Sequence, residues 1–328
     1  SMLRFVFVFV LLLSLQSFAG DALNSYNIDP TQTTVSGLSS GACMSTQFHV
    51  SHSSEIMGVA VIAGCPYYCA NTLTSLAILC MDGVVNVPEL ISATSYAEAS
   101  LSIDSTRNMK DALVWLYSGT QDTVVNTKAV EAVETYYQHY VDSPNQISST
   151  LDIPSVHGWV TVGQGLACSN FSSPFVNNCT FSASEELLKF FYGDLNHVEQ
   201  SNDDNLFAFD QGLYTPGFTP ASVSMDETGF VYVPTSCQNG EKCKLHICFH
   251  GCEQGYQFVQ NTFIETNQLN MWAESNNIIV LYPQAVSTAG INPYGCWDWW
   301  GYTGLDYATK LGSQIKAVYK MMGTLMGK

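Results

Sequence analysis

Three residue types set at telling positions in this chain could together transfer an acyl group. They are a serine between two glycines, an aspartate just past an apolar run, and a histidine in a later loop. Gly37-Leu38-Ser39-Ser40-Gly41 fits a sharp strand-to-helix turn that lifts a serine hydroxyl clear of a sheet. The β-branched run Thr33-Thr34-Val35 ahead of it reads as a strand, and Ala42-Cys43-Met44-Ser45-Thr46-Gln47-Phe48 behind it reads as the start of a helix. The glycines answer a steric demand, since so tight a turn leaves no room for a Cβ on either flank. A serine nucleophile then needs a base to take its proton and a carboxylate to orient that base. Asp122 follows the apolar run Leu113-Val114-Trp115-Leu116-Tyr117 in Ser118-Gly119-Thr120-Gln121-Asp122-Thr123, where an acid beyond the C-terminal end of a buried parallel strand belongs.

The base must be chosen among seven histidines. His49 and His52 fall on the helix after the serine turn, His139 on a polar helix, His197 in a polar connector, and His246 within a strand. His250 sits in a glycine turn. His157, in the loop Pro154-Ser155-Val156-His157-Gly158-Trp159, completes the chain order Ser39, Asp122, His157, which is the Ser…Asp…His order of α/β-hydrolases. An oxyanion hole takes one amide from the residue after the nucleophile, here Ser40, and a second from a loop that normally precedes the serine. Too little chain precedes Ser39 to supply that loop. The fitting pattern lies downstream, where the apolar strand Leu245-His246-Ile247-Cys248-Phe249 ends in the turn His250-Gly251-Cys252. An element that usually comes first has moved to the end of the chain, which predicts a circular permutation and makes the two halves interdependent.

The elements that must position these residues alternate between strand-like and helix-like runs, predicting an α/β fold with a mostly parallel central sheet. Expected strands are Thr33–Val35, Met57–Ala63, Leu113–Tyr117, Gln146–Leu151, Gly229–Val233, Leu245–Phe249 and Ile278–Leu281. Expected helices are Ala42–Ser51, Lys128–Tyr140, Ser184–Phe191, Phe263–Asn276 and Tyr307–Met321. Residues 1–19 read as a signal peptide, with Arg4, the apolar stretch Phe5 to Leu15 and the small-x-small site Ser17-Phe18-Ala19. Residues 20–328 are then expected to form one catalytic domain, its permuted halves 20–195 and 220–328 joined by a connector at 196–219. Secretion to the extracellular space follows from the leader.

A net charge of −17 with only two arginines argues against nucleic acid or an anionic membrane as partner, and suits a neutral substrate. Eleven cysteines in a secreted chain predict disulfides. The spacings suggest Cys69–Cys80, Cys168–Cys179, Cys237–Cys243 and Cys252–Cys296. A Cys43–Cys65 bridge requires the strand ending at Gly64 to lie beside the helix after Ser39. The odd total leaves a free thiol, for which Cys248 in its apolar strand is the candidate. No C-x2-C pair exists, and neither a metal nor an organic cofactor is expected. Asn170-Phe171-Ser172 and Asn178-Cys179-Thr180 are glycosylation sequons within one loop. The aromatic cluster Trp297-Asp298-Trp299-Trp300 reads as strand, with Trp297 and Trp299 on one face and Asp298 and Trp300 on the other.

Taken together, these motifs resemble the single-domain, circularly permuted extracellular poly(3-hydroxybutyrate) depolymerases. The matching pieces include Val35-Ser36-Gly37-Leu38-Ser39-Ser40-Gly41, Ala63-Gly64-Cys65-Pro66-Tyr67-Tyr68-Cys69, Ser118-Gly119-Thr120-Gln121-Asp122-Thr123-Val124 and Val156-His157. Gly229-Phe230-Val231-Tyr232-Val233-Pro234, His250-Gly251-Cys252-Glu253-Gln254, Leu281-Tyr282-Pro283-Gln284-Ala285 and Gly295-Cys296-Trp297-Asp298-Trp299 continue the match in the same order. The resemblance implies a triad of Ser39, Asp122 and His157 and an oxyanion hole from the amides of Ser40 and Cys252. It also implies that Trp297 lines a polymer crevice, and Trp299, on the same expected face, joins it as a candidate substrate contact. The chain departs from the family at Cys43 and Cys65, where glycine or an aromatic is common, at Gly158, where threonine is common, and in a short 286–292 segment.

The expected function is that of a secreted serine esterase acting as a monomer on an aliphatic polyester. A carboxylesterase on small or cell-wall esters would share every catalytic residue, and a binding protein on a retired hydrolase scaffold would keep the fold without turnover.

Overall fold

The computed structural model describes residues 20–196 and 200–328. The expected signal peptide and His197 lie outside the described residues. Eight strands make the central sheet: β1 (Ile28–Leu38), β2 (Gly58–Ile62), β3 (Leu113–Tyr117), β4 (Ile147–Thr150), and, after three short strands, β8 (Leu206–Asp210), β9 (Thr228–Tyr232), β10 (Cys243–Phe249) and β11 (Ile278–Tyr282). Their order across the sheet is β4-β3-β2-β1-β10-β11-β9-β8. The first six in that order run parallel, and β9 pairs antiparallel with both β11 and β8. The late strand β10 thus pairs directly with the early strand β1, with Gly37 opposite Phe249. That pairing is the circular permutation in physical form: the sheet of an α/β-hydrolase closed by the far end of the chain.

Alternation along each strand divides its side chains between two apolar layers. Val35, Val59, Val61, Leu116, Ile247 and Phe249 face one core, while Leu38, Ala60, Ile62, Tyr117, Val280 and Tyr282 face the other. Helix α1 (Ser40–Ser51) is buried at every position. Its polar residues are accommodated by local or long-range bonds. Ser45 and Thr46 hydroxyls donate to the carbonyls of Gly41 and Ala42, and Gln47 donates to the Asp298 carbonyl. Helices α2 (Thr74–Met81), α3 (Val87–Ala99), α4 (Thr127–Gln138) and α5 (Ala183–Tyr192) follow. The three short strands β5 (Trp159–Thr161), β6 (Leu166–Ala167) and β7 (Val176–Asn178) form a separate parallel sheet in the order β5-β7-β6.

Several elements differ from the expectations. The stretch expected as a connector, 196–219, carries β8, an edge strand of the main sheet. The expected helix Phe263–Asn276 is two helices, Thr262–Thr266 and Leu269–Asn276, broken at Gln268 with φ 70°. The Gln268 side chain bonds both the N–H and the carbonyl of Val162 and accepts from Ser182, and these long-range bonds hold the break. The last helix begins at Ser313, not Tyr307. Helices α2 and α3 were not expected.

Five disulfides staple the fold: Cys43–Cys65, Cys69–Cys80, Cys168–Cys179, Cys237–Cys243 and Cys252–Cys296. Cys248 is the free thiol, buried in β10. No helix among the described residues is long and apolar enough to cross a membrane.

Candidate active site

Ser39 stands between the last residue of β1 and the first of α1, with φ 58° and ψ −121°. This is a strained backbone for a residue with a side chain, and strain of this kind persists only where neighbours enforce it. Here the Ser39 N–H donates to the Ile62 carbonyl at 3.0 Å, and the Ser39 carbonyl accepts from the N–H groups of Ala42 and Cys43. A Cβ on Gly37 would collide with the backbone of Gly41, and one on Gly41 with the carbonyls of Phe249 and His250. The glycines therefore permit close approach, of the turn to itself and of α1 to the end of β10.

Register places the remaining residues along the same edge. Leu38, Ile62, Tyr117 and Thr150 form one row across β1, β2, β3 and β4. Ser39, the Asp122 loop and the His157 loop all follow from that row, at the C-terminal ends of their strands, where ligands bind in open α/β sheets. The two loops are laid against each other. Thr120 N–H donates to the Ile153 carbonyl and Gln121 N–H to the Ser155 carbonyl, and a Cβ on Gly119 would strike Ser155.

The Asp122 carboxylate is 1% exposed. Its Oδ1 accepts from the N–H groups of Val124 and Val125 at 2.8 and 2.9 Å, and its Oδ2 lies 2.7 Å from His157 Nδ1. A carboxylate can only accept there, so Nδ1 carries the proton and Nε2 is the basic nitrogen. The Phe171 ring meets the imidazole edge-on at 6.2 Å. The structure thus brings Asp122 and His157 into contact. It sets Val125, which helps hold Asp122, in the wall of a narrow cleft that Ser39 also lines.

The turn at the end of β10 approaches from the other side, since a Cβ built on Gly251 would lie 3.5 Å from Ser39 Cβ. Neither the Ser40 nor the Cys252 amide finds a protein acceptor among the described residues. Two N–H groups near Ser39 with no protein acceptor are of the kind that can receive an oxyanion. The Cys252–Cys296 disulfide ties this turn to the tryptophan segment, whose Trp297 N–H donates to Ser40 Oγ at 3.3 Å.

That segment corrects the expected alternation. It is a turn, wound around Asp298, whose carboxylate accepts from the N–H groups of Trp300, Gly301, Tyr302 and Thr303 and from the Thr303 hydroxyl. Trp297 is consequently 0% exposed and meets Phe249 edge-on at 5.1 Å, a core residue in place of the expected crevice lining. Trp299 packs elsewhere, with the Cys43–Cys65 disulfide in the wall of the cleft at Ser39. The two indoles do not share a face. Asp298 gathers these N–H groups, and Gln254 accepts from the Gly251 N–H and donates to the Pro174 carbonyl. Both act through bonds to backbone groups, for which sequence carries little signal.

His250, His246, His49 and His52 are all buried, and burial pushes their pKa values down to about 4, 3, 3 and 4. They are neutral at neutral pH and compete with His157 for no role in proton transfer. Among the described residues, no cluster of three histidine, cysteine, aspartate or glutamate side chains is placed to hold a metal ion.

The chain matches no family model. A polyhydroxybutyrate depolymerase of Talaromyces funiculosus is 32% identical over 319 residues, covering 92% of this chain and 91% of the relative. The chain belongs to the polyhydroxybutyrate depolymerase family. A poly(3-hydroxybutyrate) depolymerase of Delftia acidovorans is 38% identical over 308 residues, and the match spans 60% of that longer protein. The crystal structure of the PHB depolymerase from Penicillium funiculosum superposes with a TM-score of 0.85 at 30% identity, covering 93% of this chain and 99% of that one. A PHB depolymerase with a serine changed to alanine, complexed with an R3HB trimer, superposes equally well at 29% identity. The fold is accordingly that of a circularly permuted, disulfide-stapled α/β-hydrolase.

Proposed function

We propose that this protein is a secreted serine esterase that hydrolyses the ester bonds of poly(3-hydroxybutyrate) or a similar aliphatic polyester. The observation that carries the reading is the buried Asp122–His157 pair, tautomer fixed, on the same sheet edge as Ser39. In the first half-reaction Ser39 Oγ attacks the ester carbonyl while His157 Nε2 takes its proton. The Ser40 and Cys252 N–H groups receive the developing oxyanion. The tetrahedral intermediate collapses, the C–O bond to the alcohol breaks, and His157 returns the proton to that alcohol. Water then repeats the sequence on the acyl-enzyme and restores Ser39.

Support for a polyester comes from the family, from the trimer bound by a relative, and from a strongly acidic chain suited to a neutral substrate. Five disulfides and two exposed sequon asparagines, Asn170 and Asn178, support secretion and glycosylation. Residues 20–328 would act as one monomeric catalytic domain. A fluorophosphonate probe tests the chemistry directly. It should label the peptide containing Ser39, and labelled protein should no longer clear a polyester suspension. Absence of labelling, or labelling at another serine, refutes the proposal. Turnover of aryl or sugar esters without any polymer clearing would favour a small-ester carboxylesterase.

A further inference from the structure

A second bond joins the segment that carries Asp122 to the segment that carries His157. Tyr117 is the last residue of β3, a short step before Asp122, and Ser155 lies just ahead of His157. Their hydroxyl oxygens lie 2.7 Å apart, and the two residues are 1% and 0% exposed. The Tyr117 ring stacks on Trp115 and on Phe181, with centroids 6.1 and 5.5 Å away, so the hydroxyl it presents is a fixed post. Burial pushes that hydroxyl up to about 12, and it keeps its proton at neutral pH. Among the described residues, Ser155 Oγ has no other hydrogen-bond partner. Gly119 makes the approach possible, since a Cβ there would fall 2.2 Å from Ser155 Oγ.

The backbone around Ser155 completes the anchor. Its carbonyl accepts from the Gln121 N–H at 3.1 Å, and its N–H donates to the Ile153 carbonyl at 2.8 Å. Beyond Ser155 the chain is tied to the second sheet, Val156 N–H donating to the Cys168 carbonyl and Trp159 N–H to the Phe175 carbonyl. His157 thus sits on a short span fixed at both ends. We propose that Tyr117 and Ser155 are positioning residues for the reaction: their hydroxyl pair pins the start of the His157 span to the end of β3, so that the imidazole keeps its bond to Asp122. This rests on the esterase reading above. Two bonds between the same two segments, Tyr117–Ser155 and Asp122–His157, resist a swing that either alone would permit. A misplacement of about 1 Å in such a group can cost on the order of 10² in rate.

Removing one hydroxyl leaves the other buried without a partner, which destabilises; removing both leaves an apolar pair and is nearly neutral. Tyr117→Phe and Ser155→Ala should therefore each lower Tm, and the double variant should regain most of that loss. Its kcat should not return. On p-nitrophenyl butyrate the double variant should show kcat roughly tenfold below wild type, with KM close to wild type. A hydroxyl pair that serves stability alone would give the opposite, kcat returning together with Tm. That result overturns the proposal, and so does a change confined to KM. Proton spectra supply a second reading. The His157 Nδ1–H should give a downfield resonance in wild type, identified by its loss in Asp122→Asn, and this signal should broaden in the double variant. A signal unchanged from wild type overturns the proposal. If the double variant does not fold, Tyr117→Phe alone takes both readings, because its ring keeps its stacking on Trp115 and Phe181. Wild type that resists the fluorophosphonate removes the esterase reading and this proposal together. Wild type that is labelled, beside a double variant with wild-type kcat, removes the proposal alone.

Discussion

Replacing Asp122 with asparagine changes one atom in a buried site, and the structure dictates how the amide must lie. Oδ1 accepts two backbone N–H groups at 2.8 and 2.9 Å, and the side chain is 1% exposed, so water cannot relieve a mismatch. If the amide nitrogen faced Val124 and Val125, both N–H groups would meet a donor, and each would cost about 1–3 kcal/mol. The amide oxygen therefore stays with the loop and the nitrogen turns to His157. A donor now faces Nδ1, which must become an acceptor, and the imidazole proton moves to Nε2. That nitrogen can no longer take the Ser39 proton. A triad carboxylate converted to its amide with the geometry intact costs about 10⁴ in kcat, equivalent to roughly 5.5 kcal/mol of barrier. Asp122→Asn should thus fold with nearly wild-type Tm while kcat on a soluble ester falls by that order. The assay pairs circular dichroism melting with kcat on p-nitrophenyl butyrate. A folded variant retaining more than about a tenth of wild-type kcat would refute the tautomer argument, since a wrong tautomer costs far more than that.

Further outcomes follow from burial and linkage. His49, His52, His246 and His250 have folded pKa values of about 3 to 4, below the ordinary histidine value, so the unfolded chain binds more protons between these limits. Stability should be full above about pH 6.5 and fall as pH drops toward 4, and a Tm unchanged from pH 7 to 4 would contradict this. Trp297→Ala should act on the fold, costing about 3–5 kcal/mol in denaturant melts, because the indole is fully enclosed. Trp299→Ala should instead change KM on oligomeric esters, and the reverse pattern would show that the two indoles have been misassigned. Cys252→Ala with Cys296→Ala should lower kcat more than breaking Cys237–Cys243, measured on folded protein, because only the first bridge joins the turn proposed to supply an oxyanion amide to the segment bonded to Ser40. Equal kcat in both double variants would remove that role.

The site was legible where chemistry leaves a local mark. The paired glycines around Ser39 announce a steric demand, Asp122 closely follows a five-residue apolar strand, and short cysteine spacings prefigure three of the loops that close. The apolar strand ending in the turn His250-Gly251-Cys252, set after Ser39 in the chain, was enough to predict the permuted sheet. What stayed hidden depends on partners far along the chain. Strand β8 is an antiparallel edge strand with only Phe209 buried, so it lacks the continuous apolar run of a central strand. The tryptophan segment is shaped by one carboxylate collecting backbone N–H groups, and alternation misleads wherever the backbone turns. Gln254 reaches 80 residues back to Pro174, a bond that no local pattern encodes.

The central claim is that Ser39 cleaves a polyester, and mass-spectrometric product analysis with and without its hydroxyl tests it most directly. Wild type incubated with poly(3-hydroxybutyrate) film should release 3-hydroxybutyrate and its short oligomers, while folded Ser39→Ala protein should release none above the film's own background. Release of the same products by Ser39→Ala, or no hydroxy acid from wild type under conditions where it turns over soluble esters, would contradict the account.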